Sequence, residues 1–149
     1  MDDVALADYI AGIQVGYVEA GRLDPACARL LGVTPCIEIW FSDYTLTKLR
    51  LRHGDINFSH YHHMPSILLS GAMARGRQPN MLEFWWTDNS RSEHMAFFVV
   101  LKATVKGEVF VSTFHRIHQR EALRLTKRAS RDGRLIRKQL LVERERVEA

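Results

Sequence analysis

The sequence predicts an α+β fold. Helix signals dominate residues 20–71, and strand signals follow them between residues 81 and 116. Within that second group Met95 to Leu101 is apolar at every position, as in a central strand covered on both faces. Lys106-Gly107 then offers a tight turn between two strand-like runs. Helices first and an antiparallel sheet afterwards is the segregation that marks the α+β class.

Taken in order, residues 4–11 follow Asp2 and Asp3 and are compatible with a short helix. Alternation over residues 13–19, with Ile13, Val15 and Tyr17 on one parity, favours a strand. Asp24-Pro25 reads as an N-cap followed by the first helical position, and Gly32 as the residue past the helix end, predicting a helix over Pro25–Leu31. Residues 36–41 are β-branched and aromatic, which suits a strand. Ser42 can cap a helix over residues 43–53, on which Leu46, Leu49 and His53 share a face; Gly54 ends it. Residues 58–70 look helical, with Pro65 either kinking the segment or beginning a new helix and Gly71 ending it. A polar loop is expected over residues 75–80, then strands over 81–87, 94–105 and 108–116. Residues 119–130 are helix-compatible and Arg131-Asp132-Gly133 breaks the pattern. The charge-rich segment 135–149 is either a docked helix or a loose tail.

With 46% hydrophobic and 26% charged residues, the chain suits one domain over 1–149 that can bury a core without disulfide or metal staples. The formal charge of +4 hides an asymmetry. Residues 1–101 carry 8 basic and 11 acidic side chains, whereas residues 102–149 carry 13 basic and 6 acidic ones. A basic C-terminal third, with an extension from about residue 118, suggests a polyanionic partner. The longest apolar run falls far short of the roughly 18 residues of a membrane span, so no membrane partner is expected. Met1-Asp2-Asp3 has the wrong charge for a secretory leader. Cys27 and Cys36 form no CxxC unit and are read as reduced thiols of a cytoplasmic protein.

Seven histidines bring proton chemistry near neutral pH within reach. His60, His62 and His63 cluster, but a helix would turn His62 away from the other two. Without HExxH or CxxC spacing, a partly buried or solvated helix face outweighs a metal site, and neither metal nor cofactor is expected. Lys102 ends the apolar run; it either snorkels to solvent from an emerging strand or holds a phosphate over the sheet. Ser112-Thr113-Phe114-His115-Arg116 puts a hydroxyl, an imidazole and a guanidinium at a strand end. Alternation sets Thr113 and His115 on one face and Arg116 on the other unless the strand ends or bulges near His115. Between Arg116 and Lys138 there are nine basic residues and two acids. Arg116, Arg120, Arg124 and Lys127 follow helical spacing, so a helix would align them, with Arg128 beside them, to track a phosphate backbone or simply to face solvent.

The order of these segments, from about Val15 to Arg128, resembles the small phage-associated nuclease domains of the barnase/EndoU/colicin/RelE-like superfamily. The likeness rests on Val15-Gly16-Tyr17-Val18, Leu30-Leu31-Gly32, Ile39-Trp40-Phe41-Ser42, Arg52-His53, Met64-Pro65-Ser66-Ile67-Leu68, the strand ending in Lys102, and the run from Val109 to Arg116. It implies a twisted antiparallel sheet of four to five strands, with helices packed on one face and the other open to RNA. It also implies a metal-independent, toxin-like ribonuclease, for which an immunity or antitoxin protein would be a further partner. By position, His53 matches the helix-end histidine, Lys102 the cation of the central strand, and Thr113, His115 and Arg116 the polar end of the last strand.

RNA carries its own nucleophile, so such an enzyme needs only a base, an acid and cations. His53 or His115 would deprotonate the 2′-hydroxyl and the other would protonate the leaving 5′-oxygen. Arg116 and Lys102 would stabilise the charge developing on the phosphate, and Thr113 would donate a hydrogen bond to it. Phe84, Trp85 and Trp86 offer stacking surface for an unpaired base, with at least one of them expected in the core. The alternative is a catalytically inactive nucleic-acid- or protein-binding module, an assembly factor or inhibitor of phage origin. In it the basic row Arg120, Arg124, Lys127 and Arg128 carries the affinity.

Overall fold

A computed structural model describes residues 3–10, 17–52, 58–88 and 95–140. His53, Gly54, His94, the start of the predicted first strand and the end of the charge-rich tail lie outside the described residues. The helices are α1 (Asp3–Ile10), α2 (Pro25–Leu31), α3 (Asp43–Arg52), α4 (Phe58–Tyr61), α5 (Met64–Ser70) and α6 (Gln119–Arg131). The strands are β1 (Tyr17–Arg22), β2 (Glu38–Ser42), β3 (Ala72–Arg75), β4 (Met81–Asp88), β5 (Met95–Ala103), β6 (Val109–Ile117) and β7 (Leu135–Arg137).

Local chemistry accounts for the element ends. Asp24 accepts a 2.7 Å hydrogen bond from the Cys27 amide at the start of α2, and Gly32 closes the helix with φ of 71°, where a side chain would be strained. Ser42 accepts from the Thr45 amide at 3.1 Å and so caps α3. Pro65 begins α5 rather than kinking one long helix, because residues 62 and 63 form a turn between α4 and α5. Gly107 turns the β5–β6 hairpin with φ of 84°.

All seven strands join in one sheet, in the order β1-β2-β6-β5-β4-β3-β7. This corrects the expectation of four to five antiparallel strands in two respects. β2 pairs with β6 in parallel, joining an N-terminal β1–β2 pair to the C-terminal meander. At the other edge, β3 occupies residues for which no element was predicted, overlapping the expected polar loop only at Arg75, and β7 falls where a docked helix or a loose tail was expected. β5 is the central strand, and Met95 to Leu101 is buried except for a half-buried Phe98.

Helices also occupy both faces rather than one. The larger core gathers Ile39, Phe41, Phe84, Phe97, Val99 and Phe114 under side chains of α1, α2, α3 and α5, including Leu6, Leu31, Leu46 and Ile67. On the opposite face α6 lays Ala122, Leu125 and Ala129 against Ala72, Ala74, Trp85, Phe98 and Ile117. Four alanines at that contact let the helix approach closely, and Trp85 Nε1 donates to Thr126 Oγ1 at 2.8 Å, satisfying its buried N–H.

Two of the arginines in the basic third are structural. Arg137 donates from Nε to the Gly71 carbonyl at 2.8 Å and from Nη2 to the Leu68 carbonyl at 2.7 Å, tying β7 to the end of α5. Arg134 donates to the Arg75 carbonyl at 2.9 Å and pairs with Glu83 at 3.5 Å and Asp132 at 3.7 Å. Among the described residues of the basic third, α6 carries five further basic side chains, Arg120, Arg124, Lys127, Arg128 and Arg131.

Candidate nucleic-acid interface

Outward-facing positions of a strand alternate with core positions, so each core residue predicts the direction of its neighbours. Val18 and Ala20 in β1, Ile39 and Phe41 in β2, and Val109 and Val111 in β6 belong to the larger core. Tyr17, Trp40 and Phe110 consequently project from the other face. Their rings meet in a row, with Tyr17 centred 6.3 Å from Trp40 and 5.7 Å from Phe110. Tyr17 is 57% exposed, and Trp40 and Phe110 are half-buried. The apolar cluster under α6 contains no residue of β1 or β2, so α6 leaves this half of the face uncovered.

Lys102 extends the row. It pairs with Phe110 in the sheet register, lies on the same face and is exposed. Thr113, opposite Val100, and His115, opposite Phe98, project from that face too. The His115 ring lies 5.5 Å from the Phe98 ring, and its Nδ1 is 3.1 Å from the Arg116 carbonyl. Lys102 and His115 stand opposite Phe110 and Phe98, four positions apart along β5, which separates their backbones by about 13 Å. The acids of the open half, Glu19 and Glu38, pair with Arg22 at 3.7 and 3.5 Å, which offsets their repulsion of an anion.

Arg116 goes elsewhere. β6 does bulge, but at Ser112, where Leu101 pairs with Val111 and Val100 with Thr113. Beyond the bulge alternation resumes, and Arg116 stands opposite Phe97 on the face of the larger core. On that side His60 and His63 pack 5.5 and 5.2 Å from the Phe97 ring, His63 also meets Trp86 at 5.4 Å, and His62 is exposed. Among the described residues no three His, Cys, Asp or Glu side chains come together to hold a metal ion. Arg116 also opens onto a concavity of about 690 Å³ with His118, Arg120 and Arg124.

The basic row on α6 is real but shifted. Arg116 belongs to β6 and His118 precedes the helix, so the row is Arg120, Arg124, Lys127 and Arg131, all exposed. At 100° per residue these four span roughly 60°, centred opposite the buried Ala122 and Ala129, with Arg128 on the flank.

Of the aromatics expected to offer stacking surface, Phe84 and Trp85 are buried and Trp86 is half-buried against His63; the rings that meet on the open half of the sheet are instead Tyr17, Trp40 and Phe110. Alternation in Glu38-Ile39-Trp40-Phe41 could have flagged Trp40 as off the core parity. Nothing local to the sequence brings Tyr17 and Phe110 beside it.

Cys27 and Cys36 are free thiols, the first buried and the second exposed. Burial and the adjacent Asp24 push the Cys27 thiol up to about 12, which disfavours its thiolate near neutral pH.

Compared with known proteins, the chain matches no family model, no curated protein and no solved structure. None of the described helices is long and apolar enough to cross a membrane.

Proposed function

We propose that this protein is a single-stranded nucleic-acid-binding module, with RNA as its ligand, that uses the open half of its sheet. The observation that carries the reading is the row Tyr17, Trp40 and Phe110 lying beside Lys102 on the half of that face that α6 leaves uncovered. Every base has a π-face, so a row of accessible rings binds unpaired bases with little regard to sequence, at about 1–3 kcal/mol per stacked base. Lys102, Thr113 and His115 run alongside and supply a cation and hydrogen-bonding groups to the sugar–phosphate chain. The α6 row adds a field that raises the local concentration of polyanion.

Holding fits this geometry better than cutting. In-line attack by a 2′-hydroxyl needs an acid, a base and cations around one phosphate. His115 and Arg116 point from opposite faces, and Lys102 stands about 13 Å along the sheet from His115. That spacing suits separate phosphates of one strand.

The test is fluorescence anisotropy with a labelled oligoribonucleotide at about 50 and 200 mM salt, with the RNA then run on a denaturing gel with and without EDTA. Salt-dependent binding is expected, with intact RNA and roughly tenfold weaker binding for Tyr17→Ala and for Phe110→Ala. Wild-type affinity in folded versions of both variants, or EDTA-resistant cleavage, would overturn the reading; cleavage would restore the ribonuclease.

A further inference from the structure

At one end of the aromatic row the open face deepens into a groove of about 370 Å³, within the roughly 300–1,000 Å³ of small-ligand sites. Tyr17 and Phe110 line one side. α3 supplies Thr45 and Lys48 to its wall, and β6 supplies Ser112. Lys102 also lines it, so two ammonium groups share the groove, and no carboxylate is among the described residues that line it. Lys48 is already held in place, its Nζ donating to the Ser112 carbonyl at 3.1 Å, which uses one of its three N–H donors. Ser42, Thr45, Thr104 and Ser112 also line the groove, and the Ser42 and Thr45 side chains are bonded to each other at 3.0 Å.

Two cations with no carboxylate among the described lining residues match a ligand of two negative charges. An internal phosphodiester carries one, whereas a phosphomonoester carries about −1.5 to −2 near neutral pH and offers three acceptor oxygens. We infer that this groove receives the terminal phosphomonoester of a bound strand, with Lys48 and Lys102 on the phosphate and the terminal base against Tyr17 and Phe110. The inference rests on the proposed single-strand binding. It assigns that site an end preference, because the wall made by α3 stands where the aromatic row stops.

The experiment compares one oligoribonucleotide in three forms: 5′-phosphorylated, 3′-phosphorylated, and hydroxyl at both ends. A phosphorylated form is expected to bind about tenfold tighter than the hydroxyl form, as for a charge-assisted contact, and the form that does so identifies the end held. In Lys48→Gln, confirmed folded by circular dichroism, that advantage should disappear. Equal affinity of all three forms for the wild type would overturn the inference while leaving strand binding intact. Binding of a mononucleoside monophosphate with no binding of any oligonucleotide would instead overturn the strand reading and leave the groove assignment standing. An end preference that survives Lys48→Gln would place the phosphate elsewhere and also overturn the inference.

Discussion

His115 and Arg116 are neighbours in β6, yet their side chains leave the sheet on opposite faces. His115 sits by Phe98 on the α6 side, and Arg116 stands opposite Phe97 on the side of the larger core. The residues that look like one reactive cluster in sequence are therefore divided. Lys102, Thr113 and His115 stay with the open face, while Arg116 joins the side where His60 and His63 pack.

The α6 row gives a salt-dependence prediction. Arg120, Arg124 and Lys127 point away from the sheet, so replacing all three with Gln should leave the thermal midpoint within a few degrees of wild type. If all three meet phosphates, the slope of log Kd against log salt for single-stranded RNA should fall by about 2. A titration across salt concentrations measures it, and an unchanged slope would make the row a solvated face.

Arg137 should matter to the fold. Arg137→Met keeps the apolar stem against the sheet edge but leaves the Gly71 and Leu68 carbonyls without their donors. A loss of about 2–3 kcal/mol is expected in urea unfolding. Lys should restore only part of it, since an ammonium lacks the planar fork that spans both oxygens.

Gly71 is constrained by space rather than by backbone angle. A Cβ there would sit 2.5 Å from the Ile67 carbonyl oxygen and 3.1 Å from that of Trp85, both backbone atoms. Gly71→Ala should cost about 1–3 kcal/mol, read as a lower denaturation midpoint with the denaturant slope unchanged.

The two cysteines should differ in alkali and in reactivity. Folded Cys27 keeps its proton until about pH 12, whereas in the unfolded chain it ionises in the ordinary thiol range. Between those limits the unfolded state binds fewer protons, so stability falls as pH rises through the window; below it Cys27 adds no pH dependence. Cys27→Ala should flatten that alkaline limb in pH-resolved unfolding. Under native conditions iodoacetamide should modify the exposed Cys36 first, with Cys27 reacting only on denaturation.

The signals legible in the chain are those that act within a few residues. Asp24-Pro25 and Gly32 bracket α2, Lys106-Gly107 turns the hairpin, and the all-apolar run Met95 to Leu101 marks the central strand. Capping, turn strain and two-sided burial are properties of a short stretch, so the α+β class and the existence of most elements follow from them. Even the divergence of His115 and Arg116 is implicit in strand periodicity.

Pairing partners were not legible. β3 and β7 are short strands with weak patterns of their own; β3 is held by its register with β4, and the edge strand β7 by pairing with β3 and by the Arg137 bonds to the end of α5. The parallel contact of β2 with β6 joins residues about seventy positions apart and sets Trp40 beside Phe110, with Tyr17 across from both. The sequence by itself determined where the charge lies and which residues alternate inward. Only the tertiary structure decided which aromatics share a face and which face α6 leaves open, because both depend on strand order and helix docking, where free energy is gained between segments rather than within them.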